Sequence, residues 1–501
     1  MFVACLSPTI VIKCLCRGRG VYSSQHAIER EYTVLSNPSS PHTQKHKAGS
    51  QYPENARNPA DDSQPDVAKS VGLSLRRNFI WTLAGNLVYS ACQWGMLIAL
   101  AKLGSPELVG RFALALAITA PVILLLNLQL RAVQATDARI DYRFGDYLAL
   151  RTITAALAMA LISGIAIAVC KSWSLTVTVI AVGAAKAIES MSDIHYGLLQ
   201  RHERMDRIAI SSAIKGPLAL VAIALGVYFT GGVMWGPIFM AVCVAGVLLA
   251  YDIPCARKMM DVVGRLYQTA GRSPMRPAWN RERLTGLARL SAPLGVTMML
   301  ISLNANIPRY FIARHSGERE LGIFAAMSYL LVAGAIAIGA LADSATPRLS
   351  KHYAARDARS YSRLLARLVG IGAMAGAVAI GIAAWAGHWV LLILYGPEYA
   401  QYPLAFTWIA VASAIGFVGW FLGTGMTAAR CFRVQVALLG SNTLITVAAS
   451  ALLIPRFGLV GAALALVIAN AALALGTLAV VAVAIVKIKR PKHTEDYGYG
   501  P

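Results

Sequence analysis

Apolar runs follow one another along the chain from residue 78, separated by short polar stretches. Each run has about 20 residues, which is long enough to cross the hydrocarbon core of a bilayer as a helix. Inside lipid a crossing segment has to satisfy its own backbone hydrogen bonds, and a helix does so. The pattern therefore predicts an all-α polytopic membrane protein with about twelve transmembrane helices. The predicted helices are 79–101, 112–130, 148–170, 174–200, 208–229, 233–256, 287–312, 321–346, 364–394, 403–427, 433–454 and 459–486.

The longest polar stretch between the runs, 257–286, divides the predicted helices into six plus six. With an even number in each half, both halves enter the membrane from the same side, so they are predicted to form a parallel repeat. Residues 107–113 read ELVGRFA and residues 320–325 read ELGIFA. Both stretches come just before the second helix of their half, which supports the repeat.

The rest of the chain differs from these runs. Residues 1–77 are polar and rich in proline in their second part, which predicts a disordered cytoplasmic extension or a mis-assigned start. A signal peptide is the less favoured alternative, because there is no basic n-region or clear cleavage site. The predicted organisation is 1–77 extension, 78–257 first six-helix half, 258–286 cytoplasmic linker, 287–486 second six-helix half and 487–501 cytoplasmic tail.

The basic residues between the runs predict the orientation. The polar stretches on the side where the first helix begins carry roughly 27 Lys and Arg, and those on the opposite side carry about seven. Because basic loops stay in the cytoplasm, this bias predicts that both termini are cytoplasmic. We therefore expect a multi-pass protein of a bacterial inner membrane.

Composition and missing motifs exclude several classes of function. The chain is 57% hydrophobic and 14% charged, and its net charge of +22 lies mostly between apolar runs rather than on one face of a soluble domain. Nucleic-acid binding is therefore not expected. The eight cysteines show no paired C-x-x-C spacing, so no metal site is predicted. There is no phosphate-binding lysine loop and no H-E-x-x-H, and short periplasmic loops leave little room for catalytic residues. We expect neither an enzyme nor a cofactor.

Four stretches resemble signatures of a known family: residues 77–86 (RNFIWTLAGN), 108–113 (LVGRFA), 394–400 (LYGPEYA) and 457–463 (FGLVGAA). They look like polysaccharide-biosynthesis flippases, the O-antigen and exopolysaccharide branch of the multidrug/oligosaccharidyl-lipid/polysaccharide exporter superfamily. The resemblance covers roughly 75–490 and implies a fold like that of multidrug exporters of the superfamily (MATE proteins).

This resemblance also implies a function. Flippases of this kind move undecaprenyl-pyrophosphate-linked repeat units from the cytoplasmic to the periplasmic leaflet by alternating access, for O-antigen, capsule or exopolysaccharide synthesis. Glycosyltransferases and a polysaccharide polymerase are the partners that the family implies, together with the lipid-linked oligosaccharide and membrane lipid. The glycan itself is not specified by any residue pattern.

The fourth predicted helix carries the densest set of buried charges. Burying an unpaired hydroxyl costs about 2–7 kcal/mol, so a glycan needs a wet passage, and its pyrophosphate needs cations. Lys186, Glu189 and Asp193 lie at i, i+3 and i+7 on one face, with Lys186 about 18 Å inside the membrane. Lys215 of the fifth helix should lie level with residues 189–193. Lys186 or Lys215 could contact pyrophosphate, with Glu189 or Asp193 as a coupling site. The alternative is an ion-pair network joining the two helices.

Four further polar residues are weaker candidates for substrate binding. Asn86 and Gln93 share a face of the first helix, although packing between helices explains such residues equally well. Arg309, toward the periplasmic end of the seventh helix, could meet a phosphate or snorkel to the interface. Arg131 closes the second helix on the cytoplasmic side, where it could receive a phosphate or serve orientation alone.

The main alternative is a cation-coupled multidrug exporter of the same superfamily. Such exporters use a carboxylate within the membrane, but the first, seventh and tenth predicted helices contain no Asp or Glu. The embedded acids instead lie beside lysines in the fourth helix, which favours an anionic substrate. A peptidoglycan-precursor flippase is a second alternative, although its relatives usually have fourteen helices.

Overall fold

The computed structural model describes residues 72–137, 141–266 and 275–489, and within these ranges the chain is helical without a strand. The all-α prediction is therefore confirmed. Most of the predicted extension, part of the linker and most of the tail lie outside the described residues.

The helices of the first half match the predicted runs but extend beyond them at most ends. A π-helical turn, Leu248–Asp252, joins the last two of them. The helices are α1 Leu75–Leu103, α2 Pro106–Leu126, α3 Leu130–Thr136, α4 Phe144–Val169, α5 Trp173–Arg201, α6 Met205–Thr230, α7 Trp235–Val247 and α8 Ile253–Leu266.

The second half repeats this pattern of long apolar helices joined by short turns. Its helices are α9 Arg281–His315, α10 Glu318–Leu330, α11 Val332–Ala354, α12 Ala358–Leu394, α13 Pro397–Ala400, α14 Pro403–Ala428 and α15 Phe432–Lys489.

Helix α15 has 58 residues but folds back on itself at Gly458, whose φ of 53° and ψ of −128° are not helical. A Cβ built at Gly461 would collide with the carbonyl group of Leu453, eight residues earlier. In a straight helix those residues would lie about 12 Å apart along the axis. The chain therefore reverses here and forms a hairpin of two helical arms, as the predicted helices 433–454 and 459–486 require.

A break divides the second predicted helix, 112–130, which the sequence analysis took as continuous. Leu128 and Gln129 adopt left-handed φ values of 49° and 51°, a conformation that costs about 1–2 kcal/mol per residue. Arg151, buried to 1% exposure, compensates by donating hydrogen bonds to the side-chain and backbone oxygens of Asn127 at 2.6 and 3.0 Å. The continuous helix was a wrong prediction, because a tertiary contact replaces the helical hydrogen bonds.

The number of membrane crossings follows from these breaks. Ten helices of the described chain are long and apolar enough to cross a bilayer. The pair α10–α11, bent by 43°, makes eleven if it is one span. It replaces the straight helix predicted at 321–346. Dividing α15 at Gly458 then gives twelve segments, the predicted number, although the exact count and the parallel repeat stay predictions.

The largest packed contact between the two halves lies at one end of the bundle. We call the end where α1 begins the N-terminal end and the opposite end, with the α1–α2 turn, the far end. At the far end one buried apolar cluster joins both halves, including Leu97 and Val109 of the first and Leu321 and Phe406 of the second.

The packing at the N-terminal end is different. Buried residues of α2–α5 form a cluster that includes only the start of α9 from the second half. A separate cluster is formed by four helices of the second half, at the ends that are predicted to be cytoplasmic: α11, α12, α14 and α15. Exposure along α1 agrees, since Phe79 and Leu87 are 66% and 67% exposed while Leu100 is fully buried. The gap between the halves therefore opens toward the N-terminal end.

Two glycines bring α2 and α10 into close contact at the far end. A Cβ added to Gly322 would collide with the carbonyl oxygen of Pro106, and one added to Gly110 with the backbone of Glu318. We expect Gly322→Ala to destabilise the protein by about 1–3 kcal/mol, the usual range for overpacking. Gly370→Ala in α12 is the matched control, because no atom lies within 4 Å of its added Cβ. Thermal unfolding in detergent should show a lower Tm for Gly322→Ala alone; equal Tm values would contradict the contact.

Candidate functional site

A narrow cavity lies midway through the bundle between α1, α2, α5, α6 and α7 of the first half and α10 of the second. The space inside it that a water-sized molecule can occupy is about 10 Å³, and the volume reaches about 410 Å³ only when the open part is included. Its polar lining consists of Tyr89, Gln93, Lys186, Glu189 and Tyr329, and the remaining lining residues are apolar or glycine. In this conformation the cavity is thus a narrow, mostly apolar pocket with a few converging polar groups and room for about one water molecule.

One ion pair provides the charge in this cavity. Lys186 Nζ lies 2.7 Å from Glu189 Oε2, and the Tyr89 hydroxyl donates to Glu189 Oε1 at 2.7 Å. The side chains of Lys186 and Glu189 remain 21% and 24% exposed. A lysine ammonium has three N–H donors. Lys186 can therefore donate to an anion in the cavity, either together with its contact to Glu189 or in place of it.

The position of Lys186 agrees with the predicted depth. It lies thirteen residues after Trp173, the start of α5, which corresponds to about 20 Å along the helix axis. Charged groups at such depth are rare in membrane proteins and concentrate where substrates or ions pass. Tyr329 lies within electrostatic range of both Lys186 and Arg309, so the cavity faces the second half through this side chain.

Lys215 occupies a separate, closed network deeper in the first half. Its ammonium donates to Asp252 Oδ2 at 2.6 Å, to Ser192 Oγ at 2.7 Å and to the Tyr196 hydroxyl at 2.9 Å. The side chains of Lys215 and Asp252 are 3% and 1% exposed. Lys215 was predicted to lie at the same height in the bundle as residues 189–193, and its hydrogen bond to Ser192 confirms this position. All three ammonium donors are used. The network therefore matches the alternative of an ion-pair network between helices, and it joins three helices rather than two.

Asp193 and Arg131 interact with each other rather than with the cavity. Arg131 Nη1 lies 3.5 Å from Asp193 Oδ1, and Arg131 Nε donates to the side chain of Gln200 at 3.0 Å. The Arg131 guanidinium also lies over the ring of Tyr196, 5.3 Å from its centroid. Asp193 is therefore paired with Arg131, whereas Lys186 on the same helix is paired with Glu189.

The other predicted binding residues divide into two groups. Gln93 lines the cavity, whereas Asn86 is exposed and is not among the lining residues. Arg309 donates to the side chain of Asn306 at 3.1 Å, and its buried Nε has no hydrogen-bond partner within the described chain. Substrate binding by all three stays a prediction.

Three residues of this region were missed by the sequence analysis. Asp252 is the one acid in the apolar run 233–256, and that isolation was an available signal. Arg151 lies inside the predicted helix 148–170 but was not singled out, although it is buried in α4. Tyr329 gave no signal, because an aromatic residue within an apolar helix usually belongs to the core.

Comparison with known proteins places the chain in a family. The family model described as "Polysaccharide biosynthesis protein" matches residues 75–353, more than half of the chain. The chain belongs to this family. The resemblance of its helix-end motifs to polysaccharide-biosynthesis flippases of the exporter superfamily is thereby confirmed.

Individual members of this superfamily agree with the assignment. A capsular polysaccharide biosynthesis protein, CapF, of Staphylococcus aureus is 26% identical over 79% of this chain and 96% of its own length. The fold resembles a multidrug resistance MATE family transporter solved in an inward-facing conformation, with 14% identity, a TM-score of 0.58 and coverage of 85% of this chain and 99% of that one.

A second solved structure has the same architecture. It is a transporter of the same superfamily from Pyrococcus furiosus, 15% identical, with a TM-score of 0.55 and coverage of 85% of this chain and 97% of that one. The family protein therefore has the MATE-like fold that the sequence predicted, in a multi-pass membrane chain. The expectation of a transporter rather than an enzyme agrees with these relatives.

Proposed function

We propose that the protein moves undecaprenyl-pyrophosphate-linked oligosaccharide repeat units from the cytoplasmic to the periplasmic leaflet, for O-antigen, capsule or exopolysaccharide synthesis. The observation that carries the proposal is the Lys186–Glu189 pair in a cavity at mid-depth between the two halves. The polysaccharide biosynthesis family supplies the substrate class, and the cavity supplies a cation for its diphosphate.

The conflicting solvation needs of such a substrate fit this arrangement. Its hydroxyl-rich head group cannot cross hydrocarbon, since each unpaired hydroxyl costs about 2–7 kcal/mol. Its lipid tail can stay in the bilayer, beside the gap between the halves. Lys186 would hold the diphosphate through charge-assisted hydrogen bonds, which are about twice as strong as neutral ones. Gln93 and Tyr89 would offer hydrogen bonds to sugar hydroxyls.

Alternating access would begin from the conformation described above, with the gap open at the N-terminal end. By the distribution of basic residues that end is cytoplasmic, with both termini inside and the inner membrane as the location. The far end is closed by Arg111 and Glu318, 2.6 Å apart, and by Trp94 Nε1, which donates to the Tyr395 hydroxyl at 3.0 Å. Release to the periplasm requires these contacts between halves to separate.

Locking the far end is expected to stop transport. In a cysteine-free background, Arg111→Cys/Glu318→Cys should lose export when its thiols are joined by a short cleavable bifunctional reagent, and regain it after cleavage. Arg319→Cys/Glu398→Cys is the matched control, because that ion pair, at 2.8 Å, lies within the second half. Full export by the cross-linked Arg111→Cys/Glu318→Cys variant would exclude opening at the far end.

Deletion of the gene and analysis of lipid-linked intermediates test the proposed function itself. We expect complete repeat units to accumulate on the cytoplasmic leaflet and to reach the surface again when the intact gene is restored. Unaltered glycans together with increased drug sensitivity would instead support the cation-coupled exporter. Glycosyltransferases and a polymerase remain proposed partners on the strength of the family alone.

A further inference from the structure

A row of unpaired arginines lies on the outer face of α12, at the N-terminal end of the second half. Arg359, Arg363 and Arg367 are spaced four residues apart, and all three are exposed. Their guanidinium groups form no hydrogen bond or salt bridge with another residue of the described chain. Arginines at other helix ends, such as Arg111 and Arg131, do have such partners.

The local sequence leaves this charge uncompensated. Six Lys and Arg lie between residues 348 and 367, and Asp357 is the one acid in that stretch. Asp357 caps the start of α12, where its side chain accepts a hydrogen bond from the backbone N–H of Ser360 at 2.9 Å. Among the described residues no carboxylate pairs with the row, so it carries a net positive charge that an anionic ligand can neutralise.

The same helix face continues as an apolar stripe. Arg367 and Trp385 are eighteen residues apart, about five full helical turns, and so point in the same direction. Trp385 is 91% exposed and Met374 is 64% exposed. The stripe consists of Met374, Val378, Ile382, Trp385, Trp389 and Ile393, each at least 50% exposed. An apolar face of this extent on a membrane helix contacts lipid tails, so the arginine row faces the lipid rather than another helix.

Helix length places the row at head-group level. From Arg367 to Trp389, an aromatic residue of the kind that anchors helices at membrane interfaces, the rise is about 33 Å. The hydrocarbon core is about 30 Å thick. With Trp389 at the far interface, Arg367 lies at the opposite edge of the core, and Arg363 and Arg359 lie about 6 and 12 Å further out.

We propose that Arg359, Arg363 and Arg367 form a binding site for anionic phospholipid head groups of the leaflet at the N-terminal end. The guanidinium groups pair with phosphates of the lipids whose tails lie along the apolar stripe. Each such cation is attracted to an anionic membrane surface. The site is independent of the transported substrate, since it lies on the outside of the bundle, away from the cavity of Lys186.

Lipid titration of the purified protein tests this site. Thermal unfolding in detergent is followed while phosphatidylglycerol, phosphatidylcholine or inorganic pyrophosphate is added. We expect phosphatidylglycerol alone to raise the Tm of the wild type. In Arg359→Gln/Arg363→Gln/Arg367→Gln the phosphatidylglycerol concentration for half the effect should rise on the order of tenfold or more. An equal rise of Tm with pyrophosphate would show a site for free phosphates instead.

Two further variants separate binding from general charge and from insertion. Arg76→Gln/Arg281→Gln/Arg289→Gln removes the same charge from scattered exposed positions at the same end and should keep the wild-type lipid response. Replacing the row by three lysines keeps its charge during insertion and should keep most of the response. An unchanged response in the glutamine variant, or an equal loss in the scattered control, would overturn the proposal. If the glutamine variant does not accumulate, Arg363→Gln alone must give a smaller loss of the same kind.

Discussion

Lys186→Ala is expected to reduce export of lipid-linked repeat units about 10- to 100-fold while the protein remains in the membrane. A hydrogen bond to a charged group contributes about 1.5–3 kcal/mol, and the diphosphate would lose its one lysine in the cavity. The variant also leaves Glu189 near the substrate without its counter-ion at 2.7 Å. Repulsion between this carboxylate and the diphosphate adds to the loss. Export is measured by complementation of a deletion strain and quantification of surface polysaccharide.

A neutral pair separates loss of the cation from loss of stability. Lys186→Gln/Glu189→Gln removes both charges, so no unpaired charge remains in the cavity and the Tm should stay close to that of the wild type. Export should still be low, because no cation is left there to hold the diphosphate. Lys258→Ala, at an exposed position of α8, is the control that should export normally. Normal export by the neutral pair would rule out diphosphate binding by Lys186.

Lys215→Met is expected to destabilise the protein by about 3–5 kcal/mol, because it leaves Asp252 buried without a counter-charge. The network around it is closed: Asp252 also accepts a hydrogen bond from Ser211 at 2.6 Å, and both ionised side chains are almost fully buried. The loss is measured as a lower Tm in detergent and a lower amount of folded protein in membranes.

The double variant distinguishes a structural pair from a substrate site. Lys215→Met/Asp252→Leu should recover most of the lost stability, since two apolar residues of similar size can replace a buried ion pair at little cost. Its export should recover with its stability. A stable double variant without export would instead give Lys215 the substrate role predicted from the sequence.

Helix positions could be predicted from the sequence because lipid permits few alternatives. A run of apolar residues in a bilayer must be helical, and the predicted segments fall on helical residues, although 112–130 and 321–346 each cross a break. The ends were less accurate: α9 begins at Arg281 rather than 287, since the helix continues with polar residues outside the core. The break after α2 could not be predicted, because the polar residues Asn127 and Gln129 beside Leu128 are equally typical of an ordinary helix end. It depends on Arg151 and on the close approach of Gly295 to Leu125.

The candidate site could be predicted only where its partners are local. Lys186 and Glu189 are three residues apart on one helix, so their pairing follows from helical geometry. Tyr89 lies one hundred residues away from Glu189, and Asp252 lies 37 residues from Lys215. Contacts of that kind depend on how helices pack. The sequence therefore indicated which side chains are costly to bury, but not which of them would neutralise each other.

The hydrogen bonds from Arg151 at the break after α2 affect how the protein responds to pH. A guanidinium keeps its proton throughout the pH range in which cells live, and its partners here are the side-chain and backbone oxygens of Asn127 rather than a carboxylate. Neither acid nor a proton gradient across the membrane can switch this contact off. The bend between α2 and α3 is therefore independent of pH, and a proton signal would have to act through other groups.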